Sequence, residues 1–433
     1  MERASDSADN AHEGVYSMNK VKNDLKLVLF CTLIGGFSGI VFWIFLFAVS
    51  KGTWLIWESL PEAIISSFWY PVLACTIGGF VIGLFRKKFG DYPEDMMTVF
   101  ARLKKEKTYP YRNIAVLFIA ALLPLIIGAS VGPEAGMVGI ITALCCWAGD
   151  NLRFAGEMSS YYSRVGAEVS LSVMFRSPLF GLLDVQETEG VENDSDPLAK
   201  SLKIIIYCLA IGAGFGTFTL LSHFICEVSE AFPSFESIRI TSQDCLLALL
   251  YVLAGILLGL FFEWSEKALE KLSEKIPPVA SETIAGAVLG ITAALLPMVK
   301  FSGEEQMGVL MTDFANYAPI AILGFAAVKI LLTNLCIQFG LKGGHFFPMI
   351  FASVCLGYGL SLMIFPNEAN HAVFAAAVCA ASALGISMKK PLAVSALLLL
   401  CFPLKSLIWM IPSAALASLA ARWMEGKKET HHG

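Results

Sequence analysis

Long stretches without a charged side chain constrain this chain more than any other feature. Six such stretches are 27–50, 63–85, 113–133, 204–226, 343–367 and 369–388. About 20 apolar residues in α-helical form cross a hydrocarbon core about 30 Å thick, and each of the six is long enough to do so. The sequence therefore predicts an all-α polytopic membrane protein.

The composition of the chain excludes several other classes. Of its 433 residues, 56% are hydrophobic and 15% are charged, and the net charge is -5. An ordinary soluble protein has about 25% charged residues, and a polyanion partner calls for a basic excess. We therefore exclude a disordered chain, a nucleic-acid binder and an ordinary cytosolic enzyme. The cysteines lie mostly in apolar runs, and we expect no metal site and no cofactor.

Four further apolar segments are too short for a simple span. They are 135–149, 314–328, 391–404 and 406–421. Such a segment is either a tilted helix extended by polar ends or a helix that stops partway. A helix can stop inside the membrane only where protein or water covers the freed backbone groups. Length alone leaves both interpretations open, but so many short segments favour broken helices around an interior site.

Basic residues predict the orientation of the chain. The loop 86–112 holds eight lysines and arginines, and further basic residues precede the first span and follow the last. Cytoplasmic loops carry this excess of positive charge. We predict a multi-pass protein of the bacterial inner or plasma membrane with both termini in the cytoplasm. Residues 1–24 form an N-terminal segment, 25–423 the transmembrane domain and 424–433 the tail.

Two pairs of motifs suggest an internal repeat. GASVGPEAG at 128–136 is followed by FRSPLFGLL at 175–183, and GLKGGHFFP at 340–348 is followed by MKKPLAVSALL at 388–398. The same order at nearly the same spacing predicts a duplicated unit in which Gly132 corresponds to Gly344. The repeats would run over about 25–223 and 244–423. The alternative is chance similarity between glycine-rich membrane loops.

The glycine motifs are candidates for binding an anion. The N-terminus of a helix presents unpaired N–H groups and about half a positive charge, and glycine lets an ion approach the backbone. Duplicated transporters place such interrupted helices at the substrate site. The alternative for each motif is close helix packing by small residues. The candidate anion-binding residues are Gly90, Asp91, Tyr92, Gly132, Pro133, Gly344, His345, Phe346 and Phe347.

Glu134 is an ionisable residue between two apolar stretches. Such a residue is unfavourable in a membrane and indicates a functional site. A carboxylate at a helix N-terminus occupies the same positive site as an anion, and protonation would release it. We predict that Glu134 is both gate and proton carrier, the alternative being a carboxylate that caps its own helix.

These motifs together resemble the CLC family of chloride channels and chloride/proton antiporters. GASVGPEAG resembles the GREGP motif of that family, GGHFFP resembles GxFxP, and PLFGLLD resembles PLxGxLF, while FGDYPE stands where GSGIP is expected. The resemblance implies a homodimer of subunits with two inverted-topology repeats and broken, tilted helices. It implies halide transport, chloride first, by proton-coupled antiport or as a channel, and no enzymatic activity. Glu134 matches the gating glutamate and Phe346 the aromatic residue whose N–H lines the anion site.

The chain departs from the family pattern at several positions. Pro133 replaces the motif arginine, and Gly90 stands where the family has its pore serine. Thr188 falls at the position of the internal proton glutamate, and Glu187 and Glu189 flank it as candidates for an internal proton path. Family branches that exchange fluoride for protons also lack that serine and that glutamate, so a fluoride/proton antiporter is the alternative.

Two functions from other classes are alternatives. An intramembrane serine hydrolase would use Ser130 and His345, but Val131 follows Ser130 where a sharp nucleophile turn has glycine. A cation or solute transporter would carry acidic rings inside its spans. Interior carboxylates are few: Glu134, Glu168 and Asp184. Arg164, Glu168 and Arg176 share a helix face, which we interpret as structural pairing.

Overall fold

The computed structural model describes residues 2–63, 68–106, 108–151, 159–175, 177–191, 200–226, 233–238, 240–366 and 368–432. The helices of the first half are α1 (Glu2–Trp54), α2 (Tyr70–Phe89), α3 (Met96–Glu106), α4 (Ile114–Ile126), α5 (Glu134–Asn151), α6 (Ser159–Met174), α7 (Pro178–Val191) and α8 (Lys200–Phe224). Those of the second half are α9 (Ser242–Ser273), α10 (Ala280–Leu295), α11 (Glu304–Asp313), α12 (Pro319–Gln338), α13 (Phe346–Ile364), α14 (Ala369–Met388), α15 (Pro391–Leu398) and α16 (Leu407–His432). A π-helical turn at Leu55–Ser59 and a helical turn at Leu60–Ala63 follow α1. The 3₁₀ turns are Pro297–Val299, Phe314–Asn316 and Leu404–Ser406.

Seven of the described helices are long and apolar enough to cross a membrane. They lie within Asn23–Glu62, Ser201–Phe224, Ser242–Ser273, Pro319–Gln338, Phe346–Ile364, Asn370–Met388 and Leu404–Lys427. The predicted all-α polytopic fold is confirmed. The span in α9 was not among the predicted ones, although residues 245–262, between Asp244 and Glu263, form a charge-free stretch.

Several helices end well before their apolar stretch does. α4 stops at Ile126 although the charge-free stretch continues to Pro133, and α15 stops at Leu398 although its stretch continues to Leu404. Backbone groups freed at the end of α4 pair locally, since the N–H of Ala129 donates to the carbonyl of Pro124 at 3.0 Å. The apolar stretches 113–133 and 391–404 therefore contain broken helices.

The turns that end α4 and α12 are alike. Gly128 and Gly340 both have a left-handed backbone, with φ of +85° and +99°, which glycine adopts without steric penalty. The N–H of Gly128 donates to Leu125 at 3.1 Å, and that of Gly340 donates to Ile337 at 3.2 Å. Gly340 follows Gly128, and Ile337 follows Leu125, at the same distance along the chain. This distance is also the one from Gly132 to Gly344.

α13 and α14 lie at the centre of the protein. Nearly all of α14 is buried, and it packs against α9, α13 and α16. Its alanine-rich segment 375–383 presents small side chains, which lets neighbouring helices approach closely. The N-terminus of α13 is thereby held inside the protein rather than at its surface.

Candidate ion site

Glu134 is the first residue of α5 and lies at the junction of the two halves. Its side chain is 1% exposed. Its Oε1 accepts a hydrogen bond from the backbone N–H of Phe347, the second residue of α13, at 3.1 Å. Its Oε2 has no hydrogen-bond partner among the described residues. The N-termini of α5 and α13 thus meet at one carboxylate, and both place partial positive charge there.

Two motif glycines hold these helix ends together. Gly132 and Gly344 form an antiparallel bridge, in which each N–H donates to the carbonyl of the other at 2.7 Å. A Cβ atom at either glycine would overlap with the carboxyl group of Glu134. The carboxyl group therefore lies in a notch that only glycine leaves open.

Aromatic rings enclose the site on the α13 side. Phe175 packs edge-on against Phe346 and Phe347, with ring centroids 6.0 and 5.5 Å apart. The ring of His345 lies 4.6 Å from that of Phe346 and 5.1 Å from that of Phe262. The predicted residues 132–134 and 344–347 are thus brought together in one place.

Two cavities approach the site. One, of about 160 Å³, is lined by Glu134, Gly344, His345 and Phe346. The other, of about 220 Å³, is lined by Val131, Pro133 and Phe347. The residues around Glu134 lie between them. Further carboxylates line both cavities: Asp95, Glu263 and Glu266 in the first, Glu304 and Glu305 in the second.

The third predicted turn lies beside the site rather than in it. Gly90 caps the end of α2, and Asp91 forms ion pairs with Arg86 and Lys342. Burial raises the pKa of Asp91, but Lys342 and Arg86 lower that pKa by more. Tyr92 is half-buried, and none of these three residues is among those lining the two cavities. Asp95 in the next turn does line a cavity, but its Oδ1 accepts from Met97 N–H at 2.8 Å and so caps α3.

Of the three candidates for an internal proton path, the structure describes the side chain of Glu187 only. The carboxylate of Glu187 accepts hydrogen bonds from the N–H groups of Leu392 and Ala393 at 3.0 and 2.8 Å. It therefore caps α15 from a helix of the first half of the chain. The side chains of Thr188 and Glu189, like residue Arg176, lie outside the described part of the chain.

Ser130 and His345 do not form the pair that a hydrolase needs. The hydroxyl of Ser130 hydrogen-bonds with that of Thr333 at 2.9 Å. The described contacts of the His345 ring are with Phe262 and Phe346. The geometry gives the hydrolase hypothesis no support.

Lys329 is a residue that the sequence analysis missed. It is fully buried in α12, and its Nζ donates to the carbonyls of Val299 and Phe301 at 3.1 and 2.5 Å. The contact fixes the segment that leads into α11 at the wall of the larger cavity. The sequence signal was present, since Lys329 is an ionisable residue within a membrane span.

Comparisons with known proteins agree with this geometry. Residues 78–422 match the family described as voltage gated chloride channel. YfeO of Escherichia fergusonii, described as an ion-transport protein, is 24% identical over 380 residues, which is 85% of each chain. The structure of a slow cyanobacterial Cl⁻/H⁺ antiporter matches with a TM-score of 0.74 at 16% identity, over 91% of this chain and 94% of that one. A CLC-type fluoride/proton antiporter matches with a TM-score of 0.69 at 19% identity, over 92% and 95%.

Proposed function

Because this chain belongs to the voltage-gated chloride channel family, we propose that it exchanges halide ions, chloride first, for protons, with Glu134 as the gate. The observation that carries the proposal is the position of the Glu134 carboxyl group. It accepts from Phe347 N–H where two helix N-termini meet, between two cavities. A halide ion would be attracted to the same positive end of α13.

Protonation supplies the mechanism of gating. An ionised carboxylate binds the N–H of Phe347 strongly because the hydrogen bond is charge-assisted. A neutral carboxyl group loses most of that attraction and leaves the position to an anion. The residues with backbone groups at this position are Gly132, Gly344, His345, Phe346 and Phe347. One proton bound to Glu134 thus opens the site to one competing anion.

The walls of the cavities favour exchange over a passive channel. Five carboxylates besides that of Glu134 line them, and carboxylates repel anions but bind protons. A channel selected only for anion flow gains nothing from them, whereas an antiporter needs proton access to Glu134. The loop after α2 would then influence the ion site indirectly, and its residues Gly90, Asp91 and Tyr92 would not bind the anion themselves.

The test is transport by purified protein in liposomes. We expect a chloride gradient to drive protons in the opposite direction in the wild-type protein. The Glu134→Gln variant should carry chloride without protons, because the amide cannot ionise. Glu106→Gln, an exposed change of the same chemistry, should behave as wild type. Proton coupling of wild-type size in Glu134→Gln would refute the role of Glu134.

Fluoride is the second candidate substrate. Gly90 leaves no side-chain hydroxyl where the resemblance places the pore serine, and one structural neighbour is a fluoride/proton antiporter. Recording pH while fluoride or chloride gradients are imposed separately decides between the two halides. A sodium gradient in the same assay should drive nothing, and sodium-driven flux would favour a cation transporter.

The assembly and orientation follow from the same proposal. We propose a homodimer in the plasma membrane with both termini in the cytoplasm, and repeats of about 25–223 and 244–423. The mass of the detergent-solubilised protein tests the dimer. Proteolytic access to a tag after residue 433 in intact cells and in inverted vesicles tests the orientation.

A further inference from the structure

Four charged residues meet where α6, α7 and α15 cross, and we call them the inner charge cluster: Arg164, Glu168, Asp184 and Lys390. The ammonium of Lys390 donates to both carboxylate oxygens of Asp184, at 2.8 and 2.9 Å. Glu168 is 3% exposed, and its Oε2 has no hydrogen-bond partner among the described residues. The cluster therefore contains one carboxylate in an ion pair and one buried carboxylate with an unused acceptor.

The charged neighbours of Glu168 come from each part of the cluster. Asp184 of α7, Arg164 of α6 and Lys390 before α15 all act on its carboxyl group. Lys203 is also buried, on α8, which packs against α6 and α7. Burying an ionisable group in a membrane protein is unfavourable and is rarely retained for packing alone. Glu168 thus has charged neighbours on α7 and before α15 in addition to Arg164 on its own helix.

The second repeat shows that the fold does not need these charges. At the interval that relates Gly132 to Gly344, Arg164 corresponds to Ala376 and Glu168 to Ala380 in α14. Asp184 lies as far beyond Pro178 as Leu397 lies beyond Pro391, so these two residues correspond as well. Equivalent helices thus cross in the second repeat with apolar side chains. Arg164, Glu168 and Asp184 therefore have no charged counterpart in the second repeat, which points to a role beyond packing.

The cluster is connected to the ion site through α6. Phe175, which directly follows this helix, packs against Phe346 and Phe347. Glu168 lies about two turns before Phe175, which is about 10 Å along the same helix face. The carboxyl group of Glu168 is therefore near the site but separated from it by the aromatic rings.

Two members of the cluster are partly exposed. The side chain of Lys390 is 23% exposed and that of Asp184 is 10% exposed. Ser387 and Met388, just before Lys390, line the same cavity as Glu134, Gly344 and His345. The cluster thus opens on the side of the protein that this cavity faces, next to it rather than within it.

We propose that Glu168 is a proton-binding residue that relays the transported proton between Glu134 and the solution beside Lys390. This inference rests on the proposed proton exchange. In the relay, a proton leaves the carboxyl group of Glu134 and binds Oε2 of Glu168. It then leaves for water at the Asp184 and Lys390 end. Lys390 binds both oxygens of Asp184, and this leaves Oε2 of Glu168 as the acceptor.

Glu187 is the rival for the same role, and the structure separates the two. Both oxygens of Glu187 are engaged by backbone N–H groups of α15. Its removal should loosen a helix end, whereas removal of the Glu168 carboxylate should remove a proton site. We therefore expect Glu187 variants to lose stability and Glu168 variants to lose proton flux when both are compared in liposomes.

The experiment compares chloride flux and proton flux in liposomes for the full-length protein. In Glu168→Gln we expect proton flux to fall at least tenfold while chloride flux stays within about threefold of wild type. Glu425→Gln, an exposed change, should leave both fluxes unchanged. If Glu168→Gln does not fold, the double variant Arg164→Ala/Glu168→Ala, which copies the second repeat, carries the test.

The outcomes distinguish this inference from the proposed function. Wild-type protein that moves chloride without protons would overturn the proposed exchange itself. Coupled exchange in wild type that persists undiminished in Glu168→Gln or in the double variant overturns the relay alone. Coupling that is lost in Glu187→Gln but kept in Glu168→Gln assigns the relay to Glu187 and also overturns it.

Discussion

Gly132 and Gly344 exchange two backbone hydrogen bonds of 2.7 Å between the two halves of the chain. The bridge holds the first turns of α5 and α13 at a fixed separation. The carboxyl group of Glu134 lies against both glycines and reaches Phe347 from there. Changes at the bridge should therefore affect the closed position of Glu134 before they affect any other part of the protein.

Gly344→Ala should open the site and weaken the fold. The new Cβ atom would overlap with the Glu134 carboxyl group and displace it from Phe347. We expect faster chloride leak from liposomes and a free energy of unfolding lower by about 1–3 kcal/mol, as for overpacking. Gly324→Ala is the control, because no atom lies within 4 Å of a Cβ added there. Equal behaviour of the two variants would contradict the prediction.

Lys329→Met should destabilise the protein without altering ion selectivity. The ammonium group satisfies carbonyls of residues 299–301, and methionine leaves them buried and unpaired. Each unpaired group costs about 1–3 kcal/mol, so with three carbonyls we expect a loss of about 3 kcal/mol or more. Thermal unfolding in detergent measures it. Lys300→Met removes contacts with the rings of Trp57 and Phe301, each worth about 0.5–1 kcal/mol, and a loss there as large as that of Lys329→Met would count against the prediction.

Asp244→Asn should lower the free energy of unfolding far more than Glu368→Gln, although both residues contact His371. Asp244 is fully buried, accepts from Thr241 N–H at 2.8 Å and lies 2.7 Å from His371 Nδ1. Glu368 is 62% exposed and lies 3.1 Å from Nε2. We expect a loss of about 2–4 kcal/mol in the free energy of unfolding for Asp244→Asn and of less than about 1 kcal/mol for Glu368→Gln. Chemical denaturation of both variants compares them, and similar losses would refute the difference.

Asp91→Asn should lower stability in a pH-dependent way. Burial raises the pKa of Asp91, but Lys342 and Arg86 lower it further, so the folded protein releases this proton more readily than the unfolded chain. The stabilisation is therefore present above the unfolded value of about 3.9 and is lost as the pH falls through the lower folded value.

The size of that effect is limited by exposure, since Asp91 is 60% exposed. We expect less than about 1 kcal/mol at pH 7, shrinking further at high salt. Unfolding temperatures of wild type and variant, measured from pH 7 down to pH 3, should converge at the acidic end. A stability deficit of Asp91→Asn that stays constant over this pH range would refute the ion pairs as its cause.

Sequence patterns predicted the fold class and the position of Glu134 because both depend on local features. Apolar length sets the spans, and glycine with proline sets where α4 ends and α5 begins. The same reasoning missed the span in α9, although residues 245–262 between Asp244 and Glu263 carry no charge. It grouped Gly90, Asp91 and Tyr92 with the anion site, whereas the side chain of Asp91 binds Arg86 and Lys342.

The amino-acid sequence by itself determined that this chain enters a membrane, that several of its helices stop short, and that an acid begins one of them. Each of these follows from residues within a few positions of one another. Only the tertiary structure decided which amide meets Glu134 and which side chains neutralise buried charge. Phe347 lies 213 residues from Glu134, and Lys390 lies 206 residues from Asp184. Such contacts depend on how the two halves pack, which no local pattern specifies.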